Sequence, residues 1–402
     1  MLNKNQEREL AYVVQIDEIV PIEGADRVEV AKVGGWRVMV RKRQFKAGDP
    51  AIYFEIDSKV PETEAFEFLA QKHYKVKTQK YFKGTVISQG LLMAAEDFGW
   101  TIRDYFIVDD NGFAHGANDQ DSMFLTKKLG VTYYEAEDNK RKASSADKYQ
   151  KMAQRMGKKF AKFPYRNLMR HTWGKKLLYL FYGRKGDKKN GWPEWVKKTD
   201  EERVQNMPWI LEDKNPWIAT EKIDGTSTTF TMKRGKRGKN DVYVCSRNVV
   251  FDTPDKACFY DKNVYFEMFE KYNIKDVLTQ LLEENPKAEW VTIQGETYGN
   301  TVQKRDYSLE ERDFAAFNLI FSNTGRVGTV EMNKILTAKG VPCVPILSTE
   351  FILPDTVDEL LDIATGNSAV DGKPREGIVF RSPDGERSFK AVSNSFLLKY
   401  HG

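Results

Sequence analysis

Four stretches in the second half of the chain constrain its fold most: "ATEKIDGTSTTF" (219–230), "VTIQGETYG" (291–299), "EGIVFRS" (376–382) and "RSFKAVS" (387–393). Each reads as a buried strand, rich in β-branched and aromatic residues. Yet each carries charge: Lys222 and Asp224 in the first, then Glu296, Glu376 and Lys390. A charge inside an apolar strand is costly unless it is paired. One such residue can be a structural ion pair. Two lysines, an aspartate and two glutamates together fit a site for a polyanion and a metal.

Around these strands the text alternates between strand and helix patterns. "NVYFEMFEKYNIKDVLTQLLEEN" (263–285) has helical periodicity, and "FAAFNLIF" (314–321) reads as another buried strand. "KKTDEERVQN" (197–206) reads as a helix capped by Thr199 or Asp200, with acidic residues in its first turn. Residues near 8–130 are different. "LAYVVQIDEIVPI", "DRVEVAKVGGWRVMVRK" and "AIYFEIDSKVP" are short alternating runs, separated by turn signals such as "GADR" and "KAGDP". That spacing predicts a small β-barrel.

A chain of 402 residues exceeds one ordinary core. The fold class is α+β. The expected domains are a barrel over 1–133, a charged and partly helical linker over 134–190, and a catalytic domain over 191–402. The three cysteines are scattered, and the four histidines are isolated, so neither a disulfide framework nor a zinc site is expected. No run is long enough to span a membrane and the N-terminus has no apolar signal core, which predicts a cytosolic protein. The net charge of +5 is mild, but "KKFAKFPYRNLMRHTWGKK" (158–176) and "KRGKRGK" (233–239) are strongly basic. Such stretches favour phosphate backbones, and they also occur as plain solvated faces.

The charged strands occur in a telling order: a Lys-x-Asp-Gly, then "SRN", an acidic strand, "FAAFNLIF", "EGIVFR" and a strand lysine. As an ordered set over about 217–400, this resembles the covalent nucleotidyltransferase superfamily. That superfamily includes ATP-dependent RNA and DNA ligases and mRNA capping enzymes. The upstream "GWPEWVKKTDEERVQN" resembles the fifth RNA ligase family, whose members carry an OB domain before the catalytic domain. The N-terminal strand order resembles the OB-type barrel of tRNA-binding modules. Only twelve residues follow Lys390, which leaves no space for a barrel after it.

The resemblance implies an enzyme, an ATP-dependent RNA ligase that acts through a lysyl-AMP. Lys222 is then the nucleophile, and Lys390 a second cation that lowers its pKa and clamps the α-phosphate. Asp224, Glu296 and Glu376 suit a magnesium or manganese ion held through water. Glu221, Arg203, Arg247 and Phe317 are implied nucleotide contacts: Arg203 on phosphate, Arg247 on the ribose or the RNA end, and Phe317 stacked on adenine. Phe314 is a rival for the stacking role. The expected partner of this monomer is RNA, as a nicked or broken duplex, with no membrane. One departure stands out. Related ligases often have a second lysine two residues after the first in the last strand, and here that residue is Val392, with Lys399 further on. A DNA ligase, another adenylyltransferase, or a nucleic-acid-binding protein with a decayed catalytic domain are the alternatives.

Overall fold

The computed structural model describes residues 1, 8–82, 86–101, 106–108, 114–116, 123–133, 165–168, 171, 192–197, 200–235, 239–251, 253–254, 258, 260 and 262–401. These form two compact units that interleave along the chain. One holds residues 1–136, 199–223 and 345–402, the other 137–198 and 224–344. The expected linker over 134–190 falls outside the described residues, except for 165–168 and 171.

The first unit begins with the expected barrel strands. Ala11–Gln15 pairs with Pro50–Phe54, which pairs with Leu91–Met93. Glu18–Pro21, Val28–Val33 and Trp36–Arg41 form an antiparallel meander. Trp36–Arg41 shows why a strand forms there: Trp36, Val38 and Val40 are buried while Arg37 and Arg41 are exposed, a period of two.

The same unit contains a five-stranded sheet. Its strand order is Glu202–Arg203, Ser388–Val392, Gly377–Arg381, Trp217–Lys222 and Ile346–Phe351. One face packs on the helix Val357–Ala364, burying Trp217, Phe380, Phe389, Leu360 and Leu361. Thr356 starts that helix with a capping box to Glu359. Val392 and Leu397 instead join Trp36, Tyr53 and Leu92 in one core, so the barrel and the sheet share apolar packing. This gives Val392 its physical reason: barrel side chains cover the position, and it is buried. Lys399 is exposed, with its ammonium over the Tyr400 ring.

The segment 197–206 departs from the predicted helix. Glu202–Arg203 is a short strand parallel to Ser388–Val392, followed by a tight turn at Val204–Asn206. Pairing to the sheet edge overrides the local helical pattern. Thr199 lies outside the described residues, and Asp200 makes an ion pair in place of a cap.

The second unit is built on a six-stranded sheet ordered Val250–Phe251, Asp241–Cys245, Thr226–Lys233, Trp290–Gly299, Arg312–Phe321 and Gly325–Arg326. Three helices cover one face: Val264–Lys271, Ile274–Glu284 and Thr329–Ala338. The predicted helical stretch thus forms, but it breaks at Asn273, which adopts the left-handed conformation at φ 48°. Asn263 caps the first half by accepting from the Phe266 amide.

Candidate active site

Within the first unit, register brings Lys222, Glu376 and Lys390 together. Lys222 ends its strand opposite Gly377, which sets the neighbouring Glu376 beside it. The Lys222 Nζ lies 2.7 Å from Glu376 Oε1 and 2.8 Å from Oε2. Gly377 is required here, since a Cβ would meet the Ala391 carbonyl at 2.2 Å. Thr220, Val379 and Lys390 are mutually opposite across three strands, so Lys390 shares a face with Lys222.

Lys390 is buried and donates to Asp200 Oδ1 at 2.7 Å. Burial lowers its pKa, Asp200 opposes that, and the charges of Arg8, Arg203 and Lys222 lower it further. Sequence reasoning missed Asp200 as its partner, because the predicted helix gave that residue a capping role. Arg203 stands beside Lys390 in the parallel register. Glu221 lies on the opposite face by alternation, and its Oε2 accepts from the Ala369 amide at 2.7 Å. The expected nucleotide contact at Glu221 is therefore not brought to the face of the two lysines.

The second unit carries the other candidates. Gly225 sits tight against the strand of Glu296: a Cβ there would meet the Thr297 carbonyl at 2.3 Å and Glu296 Cγ at 2.9 Å. That closeness explains the glycine after Asp224. The Asp224 amide donates to the Tyr307 hydroxyl at 2.6 Å. Tyr307 carried no motif in the sequence that could have flagged it. Ser227 is opposite Glu296, which faces away from the helix-covered core.

Phe317 and Phe314 differ sharply. Gly295 pairs with Ala316 and Gln294 with Asn318, so Phe317 is the extra residue of a β-bulge. The bulge reverses the alternation. Phe314 and Ala316 face the core before it, and Leu319 and Phe321 face the core after it. Phe317 is half-buried on the other face, the face of Glu296. Phe314 is fully buried against Phe230. That face is also polar: Thr231, Thr292, Gln294 and Asn318 are buried there. Trp195 donates to Thr231 at 3.2 Å, and Gln294 donates to the Lys197 carbonyl at 2.9 Å.

Arg247 is exposed in the turn between Asp241–Cys245 and Val250–Phe251. The two basic runs separate as well. Residues 158–176 lie outside the described residues except for 165–168 and 171. In the second run, Arg234 donates to the carbonyls of Ala288 at 2.8 Å and Leu282 at 2.5 Å, finishing a helix. Lys233 lies over the Trp195 ring at 4.7 Å.

Among the described residues, no three His, Cys, Asp or Glu side chains converge as a direct metal-ligand group. The carboxylates of Asp224 and Glu296 in the second unit and of Glu376 in the first are each hard oxygen donors. No helix among the described residues is long and apolar enough to cross a membrane.

Residues 215–401 match the RNA ligase family, and residues 10–95 match an OB-fold domain family. No curated protein matches the sequence. Among solved structures, the Naegleria gruberi RNA ligase with PPi is similar at 25% identity and a TM-score of 0.71, over 98% of this chain and 99% of that one. A glutamate-to-alanine mutant of that ligase with AMP and Mn is similar at 25% identity and a TM-score of 0.70, over 98% and 99%. A second such mutant, with ATP and Mn, aligns at 24% identity and a TM-score of 0.71, over 98% and 100%.

Proposed function

We propose that this chain, which carries an RNA ligase domain behind an OB-fold domain, is an ATP-dependent, AMP-forming ligase that joins 5′-phosphate and 3′-OH ends of RNA. The observation that carries this reading is Lys222, half-buried at a strand end, held by Glu376 and sharing a face with Lys390. The similarity to ligase structures with ATP, AMP and Mn supports the choice of nucleotide and metal.

Lys222 Nζ attacks the α-phosphorus of ATP. A nitrogen–phosphorus bond forms, the α–β phosphoanhydride breaks, and pyrophosphate leaves. Before attack Lys222 must lose a proton, and Glu376 is the acceptor within hydrogen-bond reach. Lys390 and Arg203 offset charge on the phosphates. Phe317 stacks on the adenine, and Arg247 contacts the ribose or the RNA end. Asp224, Glu296 and Glu376 are the residues that would hold a magnesium or manganese ion through its waters, and when bound it would supply charge neutralisation at the α-phosphate. A 5′-phosphate oxygen then takes the AMP from Lys222. Finally the 3′-OH attacks that 5′-phosphorus, AMP leaves and the hydroxyl proton is lost. Positioning and charge stabilisation carry most of the work.

The preferred substrate is a nick in an RNA-containing duplex, gripped by the barrel on the 3′-OH strand and by the basic run 158–176. Sealing assays on matched nicked duplexes, with RNA or DNA on each side of the nick, test this. Efficient sealing with RNA at the nick is the expected result. A preference for all-DNA nicks would favour the DNA ligase alternative.

A further inference from the structure

The side chain of Arg203 reaches from its sheet to the barrel. It is 5% exposed. Its Nη2 donates to Asp57 Oδ2 at 3.3 Å. Its Cζ lies 5.9 Å from the Trp36 ring centroid. The Nε and Nη1 groups are buried with no protein acceptor. Asn206, three residues on, is pinned in the same way. It accepts from Trp36 Nε1 at 2.6 Å and Tyr12 at 3.1 Å. It donates to Glu55 at 2.9 Å and Glu202 at 2.6 Å.

A guanidinium has five N–H donors in a rigid fork. Buried with one carboxylate contact, it is under-compensated, and its remaining donors call for an oxyanion. Arg203 stands in register with Lys390, itself a buried cation, and two adjacent cations suit a phosphate. Asp57 is placed for its task by the turn after Pro50–Phe54. Its backbone sits at φ 69°, and its amide donates to the Val76 carbonyl at 3.0 Å. Asp, Asn and Gly are the residues that adopt this conformation most readily, and of these only Asp brings a charge.

We propose that Asp57 is a positioning residue for the nucleotide step. From the barrel it holds Arg203 so that Nε and Nη1 present to the triphosphate of ATP. This rests on the reading of the chain as an ATP-dependent ligase.

The test compares wild type, Asp57→Asn, Arg203→Ala and the double variant, all full-length. Lysyl-AMP formation is followed with [α-32P]ATP across ATP concentrations, beside sealing of a pre-adenylylated nick. Loss of a charge-assisted hydrogen bond predicts a KM for ATP raised about tenfold in Asp57→Asn. Sealing of the pre-adenylylated nick stays within about twofold, because that step has no triphosphate to hold. The double variant is no worse than Arg203→Ala. Equal losses in both reactions, an unchanged KM or additive effects would overturn the role of Asp57. If Asp57→Asn melts early, Asp57→Gly, which also suits the positive φ, is read by the same criteria. A wild-type protein that takes no label overturns the ligase reading itself, which the indifferent variant on its own does not.

Discussion

Both carboxylate oxygens of Glu376 lie within 2.8 Å of the Lys222 ammonium, across adjacent strands and 154 residues of sequence. Two other cations of the unit also meet a carboxylate. Lys390 is met by Asp200, and Arg203 by Asp57. Each of these three positive charges thus has a carboxylate beside it. A polyanionic substrate would compete with these carboxylates, so binding exchanges one set of ion pairs for another.

Removing the carboxylates separates catalysis from folding. Asp224→Ala, Glu296→Ala and Glu376→Ala should each slow lysyl-AMP formation by roughly 10²–10³-fold, the loss typical of a group that stabilises transition-state charge. Far-UV circular dichroism should stay native. Chelator should abolish labelling, and manganese or magnesium should restore it. Full labelling in chelator would contradict the metal role.

Phe314 and Phe317, three residues apart, should behave in opposite ways. Phe314→Ala empties a fully buried site and should destabilise the fold by about 3–5 kcal/mol. Phe317→Ala, at a bulge on the other face, should cost stability little. Its effect should be a KM for ATP raised up to about tenfold, the worth of one aromatic stack. Denaturant midpoints and labelling kinetics on the two variants check this. A large stability loss at Phe317 would make it a core residue.

Glu55 gives a pH signature. It is fully buried, accepts from Arg8, Tyr12 and Asn206, and meets the Met1 amino group. Burial raises its pKa, but the Met1 amino group and Arg8 outweigh this and hold its carboxyl well below the usual range. A lowered folded-state pKa means stability that is present above the unfolded value, about 4.3, and is lost as pH falls toward the folded one. Glu55→Gln should therefore be destabilised at pH 7 by about 3–5 kcal/mol, as when one partner of a buried pair is removed. The gap to wild type should narrow as the pH approaches about 3. Urea midpoints at both pH values test it, and a gap that is constant or widens in acid would refute it.

Much of this was legible in the sequence, for a physical reason. Charges placed in apolar strands are expensive, so Lys222, Glu376 and Lys390 could be singled out by their setting alone. Non-local partners were not legible. Asp200 read as a helix cap, because nothing local signals that 202–203 pairs with a strand almost 190 residues away. The bulge that turns Phe317 out of the core depends on an irregular register with a neighbouring strand. The expected domain bounds put the barrel and the catalytic domain in separate stretches of the chain, from which a fragment starting near Trp192 would be expected to form lysyl-AMP. The core that Val392 and Leu397 share with Trp36 and Tyr53, and the grip of Asp57 on Arg203, now predict a damaged fragment that labels poorly. Measuring its labelling beside that of the full chain decides between the two.

The central claim is that Lys222 carries the AMP. The most direct measurement incubates the protein with [α-32P]ATP and a divalent cation, digests it, and maps the labelled peptide by mass spectrometry. The account predicts one adenylylated residue, Lys222, with no label on Lys222→Ala. That variant should still seal a pre-adenylylated strand, because the last step does not use the lysine as nucleophile. Label that persists on Lys222→Ala, or that maps to another residue, would contradict the account.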